Sequence, residues 1–206
     1  MLRLIILTLI SLTTLFSDPI HKAAEDGNVQ ALESALANGI NINLQNERGQ
    51  TPLVLAVYNE HFDTVDYLLK KGAKTEVTMQ NGQTALFLAA YLGKNKIILA
   101  LLDRRARVNA VDNKGDTPLH RVAEGGSASA ARILIEHKAK VNALNKSKST
   151  PLHLAAQMGN EDVVWILVKA GASNTFVNDE EMTPSEVADE EDYGRIEKII
   201  EKYAKH

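Results

Sequence analysis

Apolar residues recur along this chain in short stripes at helical spacing, and the stripes themselves repeat. Val65, Leu68 and Leu69 share one helix face, and the pattern returns as Ile98, Leu101 and Leu102, as Ala131, Leu134 and Ile135, and as Val164, Leu167 and Val168. Each stripe stands 33 residues after the last. Upstream of each lies a second apolar segment that opens on threonine, at 51, 84, 117, 150 and 183. Threonine suits an N-cap, the proline that usually follows suits the first helical position, and the leucine after it begins a buried face. Ala56, Ala89, Ala123, Ala155 and Ala156 let paired helices approach closely. Gly27, Gly93, Gly126 and Gly159 then mark a turn at one phase, where the second copy carries Glu60. The unit predicted is a pair of short antiparallel helices, too small to bury its own stripe without a neighbour.

Thr51-Pro52-Leu53, Thr84-Ala85-Leu86, Thr117-Pro118-Leu119-His120, Thr150-Pro151-Leu152-His153 and Thr183-Pro184 are versions of one phrase, and Asp18-Pro19-Ile20-His21 stands one step earlier. The period and the phrase resemble the ankyrin repeat family. The resemblance spans residues 18 to about 203. It implies an all-α repeat solenoid of helix-turn-helix units joined by β-hairpin loops. Residues 18–206 then form one repeat domain, with an N-cap over 18–44, full repeats over 45–77, 78–110, 111–143 and 144–176, and a C-cap over 177–206. In the cap, Ile196, Ile199, Ile200 and Tyr203 supply a single apolar face.

His21, His120 and His153 stand three residues after a cap, where a capping box places a side chain that reaches back to the cap's own N–H. A metal or catalytic cluster would need them to converge, whereas a solenoid spaces equivalent residues one repeat apart. Hairpin tips are marked by Gly49, Gly82 and Gly115, with Lys148 in that place in the fifth copy.

Residues 1–17 stand outside the repeat: Arg3 precedes an apolar run from Leu4 to Phe16, broken only by serine and threonine. This is the shape of a secretory signal cleaved near Ser17. A membrane anchor over residues 2–16 and a hydrophobic cap are the alternatives, the anchor being shorter than the roughly 20 residues that span hydrocarbon. The expected location is secreted or periplasmic. The chain has no cysteine, which suits either redox compartment.

The 23 basic and 26 acidic residues give a net charge of −3 and no bias toward nucleic acid or anionic membrane. The charge is unevenly placed. Residues 103–148 hold ten Lys or Arg against five acids, and 179–192 hold eight acids and no base. Both are solvated faces or an electrostatic guide that orients a partner. No phosphate loop, nucleophile elbow or zinc-protease motif occurs, so no cofactor, metal or catalytic residue is assigned.

Positions that vary between copies, once those required by the fold are set aside, are Glu47, Arg48 and Gln50; Gln80 and Asn81; Asn113, Lys114 and Asp116 at the tips. At the last turn of each first helix stand Tyr58 and Asn59, Tyr91 and Leu92, Glu124, and Gln157 and Met158. In the ankyrin family these two sets line the concave partner-binding side. Tyr58 and Tyr91 share one phase, as rungs of an amphipathic ladder for a protein partner or as covers for neighbouring helices. Trp165 falls on the outer surface of a second helix, where it packs on the next repeat or meets a partner. The expected function is protein–protein interaction by a monomer, without catalysis and without nucleic acid. A membrane-tethered scaffold is one alternative. Resemblance to exported bacterial ankyrin proteins implies another: an accessory to a periplasmic enzyme, or a secreted effector.

Overall fold

A computed structural model of the protein describes residues 18–204, so the signal-peptide reading of residues 1–17 lies outside the described residues. The chain divides into two compact units, one ending at Lys74 and one beginning at Thr75. The N-terminal unit holds α1 (Pro19–Glu25), α2 (Val29–Ala37), α3 (Pro52–Tyr58) and α4 (Phe62–Lys70). The C-terminal unit holds α5 (Ala85–Tyr91), α6 (Asn95–Asp103), α7 (Pro118–Gly125) and α8 (Ala128–Glu136). It continues through α9 (Pro151–Gln157), α10 (Glu161–Lys169), α11 (Pro184–Glu190) and α12 (Gly194–Tyr203). The described residues thus form an all-α repeat architecture, and the tips are closed as tight turns rather than extended into strands.

Every cap predicted from the 33-residue phase is an N-cap, from Thr51 through Thr183, and Asp18 occupies that position before α1. Burial follows the two stripes. Ile20, Leu32, Leu53 and Leu68 are sealed in the N-terminal unit, and Leu86, Ile98, Leu101, Leu119, Leu134, Leu152 and Leu167 in the C-terminal one. Two residues of the second-helix stripe, Leu102 and Ile135, are only half-buried because they sit at the rim of the helix face.

The turns keep their geometry where glycine is missing. Glu60, Arg105, Lys138 and Lys148 have φ of 61°, 62°, 70° and 55°, all left-handed, at phases where other copies use glycine. The fifth tip therefore turns as the others do, with Lys148 in place of glycine.

A polar side chain staples each hairpin to the next. Asn43 Oδ1 accepts from the N–H of Lys74 at 2.8 Å in the N-terminal unit. In the C-terminal unit Glu76 accepts from Arg107 N–H at 3.0 Å, Asn109 from Lys140 N–H at 2.8 Å, and Asn142 from Ser173 N–H at 3.0 Å. These acceptors lie one period apart and satisfy backbone donors that the short helices leave open. Trp165, half-buried on α10, lies 5.0 Å from the ring of Tyr203 on α12, which is the packing role expected of it.

Candidate partner-binding surface

The histidines of the repeated phrase build the scaffold. Thr117 and Thr150 N–H donate to Nδ1 of His120 and His153 at 3.0 Å, so the ring proton sits on Nε2. From there His120 donates to the Ser149 carbonyl at 3.0 Å and His153 to Met182 at 3.1 Å, each in the next copy. Burial lowers both pKa values, against the opposing pull of those carbonyls. His21 departs from the capping-box expectation. Its Nε2 bonds the Leu44 carbonyl at 2.9 Å, its Nδ1 has no hydrogen-bond partner, and the nearby Asp18 carboxylate stands 3.8 Å from it.

Four tips are closed by an Asx turn at one phase, a device absent from the sequence reading, and the copy with Met79 at that phase lacks it. Asn46 Oδ1 accepts from the N–H groups of Arg48 and Gln50. Asp112, Asn145 and Asn178 do the same at their own tips. Neighbouring tips within the C-terminal unit are joined by backbone bonds from Asn113 to Asn81, Lys146 to Lys114 and Asp179 to Ser147. Repetition of Asn or Asp at 46, 112, 145 and 178 is the signal that would have shown these turns.

In the N-terminal unit, Glu47 and Arg48 are exposed at the tip, and Tyr58 ends α3 with 61% of its surface exposed beside exposed Asn59. Gln50 is half-buried and takes a bond from Asn46 Nδ2 at 3.0 Å. In the C-terminal unit Gln80, Asn81, Asn113 and Lys114 are exposed at the tips. Tyr91 and Met158, 47% and 45% exposed, stand at the ends of α5 and α9, with Leu92 half-buried and Gln157 exposed.

Asp116 is a correction to the expected surface. It is buried because Arg121, on α7, pulls it inward: Nη2 meets Asp112 Oδ2 at 2.8 Å and Asp116 Oδ2 at 2.9 Å, while Nη1 meets Glu124 Oε2 at 2.7 Å. Asn145 Nδ2 donates to the other oxygen of Asp116 at 2.8 Å, and Gln83 Nε2 donates at 3.0 Å to the same Asp112 oxygen that Arg121 meets. Burial pushes the Asp112 carboxyl up. Hydrogen bonds from Gln83, Arg121 and the N–H groups of Lys114 and Asp116 outweigh it and hold the group below the usual carboxylate range. Arg121 occupies the phase of Leu55, Leu88 and Leu154, so a charge in an apolar column was its signal.

Beside this network, between the tips and the first helices of the fourth copy through the cap, runs an open groove of about 650 Å³. Its floor includes Leu154, Met158, Met182 and Val187, and its far wall is Glu190 and Glu191 at the end of α11. Those two glutamates continue the phases of Tyr91 and Leu92, which the sequence reading ended at Gln157 and Met158. Among the described residues no group of three His, Asp or Glu side chains is arranged to hold a metal.

A sequence model described as ankyrin repeats, in three copies, matches residues 20–112 and again 95–178. No curated protein is matched by the chain. Such repeats are protein–protein interaction modules. With most of its length matched, and with phased caps and helix pairs at the matched residues, the chain belongs to the ankyrin repeat family.

Proposed function

We propose that this protein is an exported, non-catalytic module that binds a protein partner through its hairpin tips and the last turns of its first helices. The observation that carries the reading is the exposure of Tyr58, Tyr91 and Met158 at that turn, where the fold makes no demand for a large apolar side chain. Interfaces draw most of their energy from a few aromatic and large apolar anchors, and the charged tips around them steer the approach. An open groove excludes water poorly, which argues against acid–base catalysis, and the ankyrin family is typically non-catalytic.

The test is a titration with a partner isolated by affinity capture on the mature chain. Tyr58→Ala with Tyr91→Ala should lose about 2 kcal/mol or more of affinity with an unchanged melting curve. Leu68→Ala or Leu101→Ala, each fully buried, should instead lose about 2–5 kcal/mol of stability. Normal binding by the double tyrosine variant, with loss in Trp165→Ala, would move the interface to the outer helices. Export rests on Arg3 and the Leu4–Phe16 run ending just before the Asp18 cap. N-terminal sequencing should find a mature chain beginning near Asp18. A cytoplasmic protein starting at Met1 would defeat export, and a membrane-bound one would favour tethering.

A further inference from the structure

We infer that the groove of the C-terminal unit receives a cationic segment of the partner, a peptide carrying Lys or Arg side chains on an apolar background. The inference rests on the interaction reading above and adds the chemistry of the occupant. Two features support it.

The first is the composition of the groove. Six carboxylates line it against three cations, Lys114, Arg121 and Lys146. Two of those cations are committed: Arg121 is shared among carboxylates, and Lys146 Nζ donates to the Asn113 carbonyl at 2.8 Å. Glu180, Glu190 and Glu191 are exposed on two separate elements, a tip and the end of α11, and join none of the ion pairs found among the described residues. Between these elements lies the floor of Leu154, Met158 and Met182, with flexible methionines suited to alkyl stems of varied length.

The second feature is the sharing of one cation along the inner wall. Asp112, Asp116 and Glu124 share the single guanidinium of Arg121, so the inner wall presents two carboxylates, Asp116 and Glu124, whose one cation is also held by Asp112 behind them. A partner that covers the groove removes water from that wall, and negative charge left without water is stabilised by a cation placed against it. A neutral or acidic segment would leave it uncompensated.

The experiment is a selection from a random dodecapeptide phage library against the full chain, followed by fluorescence anisotropy of the enriched peptides. Enriched peptides should carry net positive charge with apolar residues between the cations. Their affinity should fall at least tenfold in Glu180→Lys/Glu190→Lys/Glu191→Lys, and less than threefold in Asp103→Lys/Glu136→Lys/Glu201→Lys, which makes the same charge change at exposed positions outside the groove. Equal losses in both triple variants would reduce the effect to bulk charge and overturn the inference. Neutral or acidic peptides that still depend on Tyr91 and Met158 would overturn it while leaving the interaction reading intact. Peptides indifferent to the groove, Tyr91 and Met158, or no enrichment at all, would overturn both.

Discussion

Arg121 donates to Asp112 across 2.8 Å, with the guanidinium side chain 13% exposed and the carboxylate 2%. The same guanidinium reaches Asp116, so one cation holds two buried carboxylates; the neighbouring copy at 144–176 places Leu154, Asn145 and Ser149 at these three phases. A buried charge stripped of its partner is far more costly than the pair is beneficial. Arg121→Leu should therefore destabilise the protein by about 3 kcal/mol, and adding Asp112→Asn and Asp116→Gln should bring stability back to within about 1 kcal/mol of the parent. Urea denaturation of the single and triple variants decides it. The folded Asp112 carboxyl is depressed, so its contribution is complete above about pH 4 and is lost as pH falls through the folded value.

His120 and His153 set a second pH dependence. Both are held below the ordinary value by burial, so their stabilisation is complete above about pH 6.5 and declines as pH falls through the folded values. Stability measured in denaturant should drop between pH 6.5 and 5. His120→Gln with His153→Gln keeps an N3 acceptor for the cap but does not titrate, so it should start lower at pH 7 and fall less steeply.

Thr64 on α4 is 1% exposed, and its hydroxyl has no hydrogen-bond partner in the structure. The same phase is filled by Ile97, Ala130 and Val163 in the C-terminal unit. Replacing a buried hydroxyl that lacks a partner by a methyl removes its desolvation cost, so Thr64→Val should raise stability by about 1 kcal/mol. A thermal melt lower than that of the parent would point to a partner for Oγ1.

Gly125 closes α7 inside the helix, where alanine would ordinarily add about 1 kcal/mol. Here an added Cβ would stand 2.2 Å from the Tyr91 carbonyl oxygen, and backbone cannot swing aside as a side chain does. Gly125→Ala should cost about 1–3 kcal/mol in chemical denaturation.

Arg105 and Lys138 are exposed and hold left-handed φ of 62° and 70°. Arg105→Gly and Lys138→Gly should leave stability unchanged or raise it by at most about 1 kcal/mol, the relief of that backbone being offset by a looser unfolded chain. A loss well above this for both would reveal contacts made by the two side chains.

The phased threonines, the proline beside four of them, the glycine turns and the leucine stripes were all legible in the sequence. Each depends on the backbone preference or periodicity of a few adjacent residues, and repetition reinforced the signal. The exposed positions of Tyr58, Tyr91 and Met158 could be named by the same arithmetic. What only the tertiary structure decided is how side chains from different copies meet. Gln83, Asp112, Asp116, Arg121 and Asn145 come from three copies, and the close stacking of those copies turned Asp116 from an expected contact into a buried one. The Nε2 bonds of His120 and His153 and the extension of the groove to Glu190 and Glu191 arise in the same way. Their physical reason is that contacts between copies depend on the offset and separation of stacked helix pairs, which no local propensity specifies.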